Sequence, residues 1–263
     1  MWLLFYTLFY KKKMLSRNFY ILYTLAHLKQ KANVRGTILG YLWWFIEPMM
    51  LIALYSYIVG VIFGHAGPDR ILMIAIGITL WKWWSTSLSA ATTSFRRYKG
   101  IVTQVKLPLS ILPISEVFGQ TYLFLFGYAL LQSILLFMGY MPDLFSLMIT
   151  FITTMVLISA LSLVLALLNV FVRDTAFLVG FGLRIFFYIT PIIYPKERVP
   201  EDYQWLVSLN PFSYLIDMFN VSLIYTNQVN LANHLIILML SASVLLFILF
   251  LVQKLRMKII RNI

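Results

Sequence analysis

Residues 36–48, GTILGYLWWFIEP, decide how the chain is read. Upstream the chain is basic and only partly apolar; downstream it breaks into long hydrophobic runs. At the join stand Trp43, Trp44, Phe45 and Glu47, with Pro48 behind them. Tryptophan and tyrosine favour the headgroup layer because an apolar ring and a hydrogen-bonding N–H or O–H are both satisfied there. The segment therefore belongs at a membrane surface, where basic sequence passes into apolar sequence.

Composition agrees. The chain has 263 residues, of which 61% are hydrophobic and 11% charged. A soluble domain carries about 25% charged residues, so this is an integral membrane protein. The net charge of +12 sits at the ends of apolar runs, a placement that serves lipid headgroups and topology rather than nucleic acid. There is no cysteine, and His27, His65 and His234 are scattered, so neither a thiolate nor a histidine metal cluster is indicated. The apolar residues Trp2 to Tyr10 precede Lys11, Lys12 and Lys13. A cleavable signal has the opposite order, so this stretch is expected to stay and lie on the membrane surface.

Between Arg17 and Arg35 the apolar residues Ile21, Leu25, Leu28 and Ala32 recur at helical spacing, which predicts an amphipathic helix lying in the interface or packing on a soluble partner. A helix needs about 20 apolar residues to cross the hydrocarbon. Six spans are predicted on that scale, at 41–63, 71–94, 117–138, 144–172, 176–193 and 235–252. They put both termini on one side together with most of the Lys and Arg, and that side is cytoplasmic by the positive-inside rule. The predicted fold is thus all-α: six transmembrane helices, an N-terminal interface helix, and one further device between spans five and six. There Pro200 before Glu201 and Asp202, and Asn210 before Pro211, mark two helix starts. Two short apolar helices of about ten residues each would reach about 15 Å, half a bilayer, and read as a re-entrant hairpin dipping back from outside.

The cytoplasmic loop FRRYKGIVTQVKLPLSILP, residues 95–113, mixes Arg96, Arg97, Lys99 and Lys106 with Ile101, Val102 and Val105. A short helix there either offers an apolar face ringed by cations, with Tyr98 among them, to a soluble partner or only anchors the loop to the surface. Charges inside spans must face protein, water or headgroups. Glu47 either compensates the helix dipole, or pairs with a cation such as Arg35 or one from another span, or lines a path. Lys82, in LWKWW at 80–84, is either a cation–π anchor or snorkels to the surface. Arg184 is central enough in its span to mark a functional or partner-facing site. Trp81, Trp83, Trp84, Phe186, Phe187, Tyr188 and Tyr194 fall near predicted span ends. They form either an aromatic belt or, with Trp43, Trp44, Phe45 and Tyr214, the lining of a path on which sugar rings could slide. The chain has no HExxH and no GxxxxGK[ST] loop, so if it drives transport with ATP, the motor is another protein.

These motifs resemble a known family. LGYLWWFIEP at 39–48, KLPLSILP at 106–113, NVFVRD at 169–174, RIFFYITPIIYP at 184–195 and SLNPF at 208–212, behind an amphipathic N-terminal helix, are similar in order to the membrane subunits of ABC-2 family polysaccharide exporters, the O-antigen and wall teichoic acid export permeases. The resemblance implies one transmembrane domain over 1–263, with 1–38 as interface-helix region and 39–263 as six-span core. It further implies a homodimer in the bacterial plasma (inner) membrane, each subunit bound to a separate nucleotide-binding ATPase that holds ATP and Mg; no cofactor is expected in this chain. The implied substrate is a glycan on undecaprenyl pyrophosphate. The segment 39–46 would be a cytoplasmic gate helix. Arg96, Arg97, Tyr98, Lys99, Val102, Val105 and Lys106 would form the coupling region, and the short helices near 200–209 and 211–224 the outer gate. LWWFIEP looks more like O-antigen exporters; KLPLSILP and VRDTAFL look more like teichoic acid exporters. An ABC-2 exporter of small hydrophobic compounds and, more remotely, a membrane-embedded transferase complete the alternatives.

Overall fold

The computed structural model describes residues 17–29, 31, 40–62, 64, 67–104, 107–226 and 231–263. The expected surface stretch at Trp2 to Tyr10, Ala32, Arg35, Val105, Lys106 and the side chain of Trp44 lie outside the described residues. The described residues are 86% helix and include no strand.

In chain order, α1 covers residues 17–29. A 3-10 turn with Gly40 at φ 50° leads into α2, Trp43–Tyr57, which continues as a π-turn over Ile58–Ile62. Next come α3, Pro68–Thr92, then α4, Ser94–Arg97, and α5, Lys99–Gln104. The long helices α6, Ile111–Phe137, and α7, Leu144–Phe171, precede α8, Thr175–Ile189. After them follow α9, Gln204–Ser208, α10, Pro211–Leu223, α11, Leu231–Lys254, and α12, Arg256–Asn262.

Among the described residues five helices are long and apolar enough to cross a membrane: Phe45–Ile62, Asp69–Thr92, Ile111–Phe137, Leu144–Phe171 and Leu231–Lys254. They match five of the six predicted spans. The sixth run forms only α8, 15 residues or about 22 Å by helical rise, short of the roughly 30 Å hydrocarbon layer. It stops because Thr190 precedes Pro191 and is driven to extended backbone, φ −77° and ψ 131°.

α3 lies at the centre, packed by α2, α6, α7, α8 and α10, while α7 carries α11 on its other flank. One apolar core surrounds α3; a second, at the end holding α4 and α5, joins α7, α11 and α12. Trp83 stacks on Phe124, 4.2 Å away, and on Phe151, 5.5 Å away, and its indole N–H donates to Thr121 Oγ1 at 3.0 Å. Trp81, Trp83 and Trp84 are buried in the core, not at the span end expected for them. Pro68 starts the helix and Thr92 ends it, which places LWKWW near mid-helix. α7 is lined by buried hydroxyls, and Thr150, Thr153 and Thr154 each bond the carbonyl four residues back; small self-satisfied side chains let helices approach closely.

Two further expectations are corrected. On α1, Ile21, Leu22 and Leu25 pack inward while Leu28 is exposed, because the Lys29 ion pair turns that face toward the bundle. The helix after Pro200 is not ten residues long: a 3-10 turn over Glu201–Tyr203 leads into a five-residue α9. Pro200 blocks extension on one side and Pro211 on the other. The Asn210 cap forms as read, its side chain accepting from Phe212 N at 3.0 Å.

Candidate functional site

Three regions collect the predicted site residues. At the α4–α5 end, Glu116 stands in α6 with its side chain 0% exposed. Arg97 donates to its Oε1 at 3.0 Å, Tyr98 donates to the same oxygen at 3.0 Å, and Lys29 of α1 pairs with Oε2. A buried carboxylate is tolerated only when paired and hydrogen-bonded, and here three elements converge to satisfy it. Arg96 donates to the carbonyls of Asn169 and Val170 at 3.0 and 2.8 Å, closing the end of α7. Val102 is buried in the second core, and Lys99 donates to the Ile263 carbonyl at 2.7 Å. Arg96, Arg97, Tyr98 and Val102 therefore hold the loop onto the bundle, whereas Lys99, Gly100 and Gln104 are exposed.

In the middle region, Lys82 of α3 pairs with Glu47 of α2. This replaces both expectations for Lys82, the aromatic cage and the snorkel, because α2 runs beside α3 and supplies a carboxylate at the same height. Trp43 is 48% exposed, and Phe45 is half-buried.

At the α9–α10 end, Phe187 packs on Tyr55, Trp81 and Tyr188 with ring centroids 5.6, 5.7 and 5.2 Å apart. Phe212 of α10 joins the same cluster through Trp81 and Trp84. Tyr194 folds back and donates to the carbonyls of Tyr188 and Ile189, both at 2.8 Å, satisfying the open end of α8. The turn after α8 seats on α3 at Gly77, where an added Cβ would lie 2.8 Å from Ile192 Cγ2. Arg184, Phe186 and Tyr188 are exposed, and Arg184 has no ion-pair partner among the described residues. Tyr214 is half-buried beside Asp217; burial first, then that charge, raises its phenol.

Two hollows meet at Arg70, Tyr194 and Pro195. One, of about 880 Å³, adds Tyr55 and Tyr188; the other, of about 770 Å³, adds Asp69, Lys196, Asp217 and Asn220. Burial raises the Asp217 carboxyl above the usual range, with Lys196 opposing and Glu197 reinforcing. The fold thus brings Tyr188 and Tyr194 together and keeps both away from the Glu47–Lys82 pair. Tyr55, Arg70, Asp217 and Asn220 were not singled out in the sequence, where nothing in their spacing distinguishes them from surface or packing residues.

A polytopic all-α bundle of this kind, with charged side chains paired across its helices, is a membrane-embedded protein. The chain belongs to the ABC-2 type transporter family, whose sequence profile matches residues 20–224. It is similar to the O-antigen export system permease protein RfbA of Klebsiella pneumoniae, 26% identical over 201 residues, covering 75% of this chain and 78% of that protein. The protein of the same name from Myxococcus xanthus is 27% identical over 205 residues, covering 76% and 78%.

Proposed function

We propose that the chain is the permease subunit of an ATP-binding-cassette exporter that carries a lipid-linked polysaccharide of the O-antigen type from the cytoplasm across the bacterial inner membrane. The observation that carries this reading is the similarity to O-antigen export permeases over three-quarters of the chain, within a family that covers residues 20–224. ATP hydrolysis falls to a separate nucleotide-binding subunit with its Mg, docking at the end that carries α4 and α5 through exposed groups such as Lys99 and Gln104. α8 with the turn behind it acts as a sixth, shortened crossing, so both termini lie in the cytoplasm. α1 lies in the interface, and α9 with α10 forms the outer re-entrant gate. A second copy of the chain completes the path; the exposed Arg184, Phe186 and Tyr188 on α8, with Trp43 at the inner entrance, face it. The glycan is carried on undecaprenyl pyrophosphate.

Reconstitution of the chain with its co-expressed ATPase in vesicles tests this. Lipid-linked O-polysaccharide is expected to stimulate hydrolysis and to appear in the lumen of inside-out vesicles. Stimulation by lipid-linked teichoic acid alone, or by small amphiphiles alone, overturns it.

A further inference from the structure

Between α2, α3 and α6 runs a groove of about 460 Å³. Its walls are apolar: Met49 and Ile52 from α2, Leu72 from α3, Leu130 and Ile134 from α6. Gly127 stands on it, and a Cβ added there meets nothing within 4 Å, so the space is open. From Gln120 to Ile134 the lining climbs α6 by about 21 Å at 1.5 Å per residue. All three helices are candidate spans, so the groove opens at hydrocarbon depth.

One end is polar. Lys82 lines it, bound to the Glu47 carboxylate, whose side chain remains 52% exposed. Gln120 also lines it; the residue is 5% exposed, and its shielded Oε1 has no hydrogen-bond partner among the described residues. An unsatisfied amide oxygen at that depth has no bulk water to turn to. The occupant must then be apolar for most of its length and must end in a head that does two things. It accepts from Lys82, and it donates to the free side of Glu47 and, once the shielded amide turns toward the groove, to Gln120 Oε1.

We infer that this groove binds a phospholipid with a primary-amine headgroup. One acyl chain lies along α6, the phosphate accepts from Lys82, and the ammonium donates to Glu47 and Gln120. A choline head has no N–H to donate, and a glycerol head adds a net negative charge opposite Glu47. The site does not depend on the transport reading or on any partner subunit.

The test uses the full chain, delipidated in detergent and offered dioleoyl phosphatidylethanolamine, phosphatidylcholine and phosphatidylglycerol in equal amounts, with retained lipid read by native mass spectrometry. A charge-assisted hydrogen bond favours the amine head, so phosphatidylethanolamine is expected to be retained roughly tenfold over phosphatidylcholine. Gln120→Leu and Glu47→Gln are expected to lower that preference, and Gly127→Leu to reduce retention of every lipid by filling the groove. Equal retention of the three lipids by the unaltered chain, preference for phosphatidylglycerol, a preference untouched by both Gln120→Leu and Glu47→Gln, or full retention in Gly127→Leu would each overturn the assignment. The comparison on the unaltered chain decides the matter even if a variant fails to fold.

Discussion

Arg97 Nη1 donates to Oε1 of Glu116 at 3.0 Å, across 19 positions of sequence, and the carboxylate is shielded from solvent. Lys29 and Tyr98 complete the shell, so one acidic side chain ties α1, the α4–α5 segment and the start of α6 into one unit. Removing one partner of a buried pair leaves uncompensated charge and costs about 3–5 kcal/mol. Glu116→Gln is expected to lose stability on that scale. Thermal unfolding in detergent reads it; a melting temperature equal to the parent's would show the pair to be incidental.

Trp83 is buried, stacked on Phe124 and bonded to Thr121. Trp83→Ala should cost about 3–5 kcal/mol through the cavity it leaves. Thr121→Val should cost about 1–3 kcal/mol, because the indole N–H is left without its acceptor. Denaturant titration of each variant measures both, and a Thr121→Val loss as large as that of Trp83→Ala would contradict the ordering.

Burial raises the Asp217 carboxyl, with Lys196 opposing and Glu197 reinforcing. A carboxyl raised in the fold binds more protons folded than unfolded, so its contribution favours the fold below the ordinary aspartate range and is lost as pH rises through the folded value. At pH 7 the charged form is the strained one. Asp217→Asn is therefore expected to melt higher than the parent at pH 7, with the gap shrinking as pH falls. A gap that widens in acid would reverse the sign.

Trp43 is exposed at the start of the first span and bears little of the packing. Trp43→Ala combined with Trp44→Ala is expected to lower polymer export more than ATPase turnover in the reconstituted complex. Equal losses in both would assign these rings a structural role.

Much of the architecture is legible in the chain because the relevant physics is local. Hydrocarbon length against helical rise marks five helices, among the described residues, as long enough to cross. Asn210 caps α10 because its side chain reaches an amide two residues on, and Pro68 and Pro211 open α3 and α10, where no N–H is needed. The same local physics shortens α8: Pro191 follows Thr190 in the sequence, but the apolar run through Ile193 masks the stop. The candidate site was less legible. Tyr194 reads as a path residue and acts as a cap on α8; Arg96 reads as a docking cation and instead closes α7.

What the sequence by itself determined was an all-helical membrane protein, its punctuation and its family. Those follow from hydrophobic run length, capping residues and motif order, each contained within a few tens of residues. What only the tertiary structure decided is who partners whom. Lys82 meets Glu47 across 35 positions and Lys29 meets Glu116 across 87, because helix packing brings them to the same height, and no local pattern encodes that height. The open groove beside Gln120 has the same origin: it is the space left where three apolar helices do not fully close.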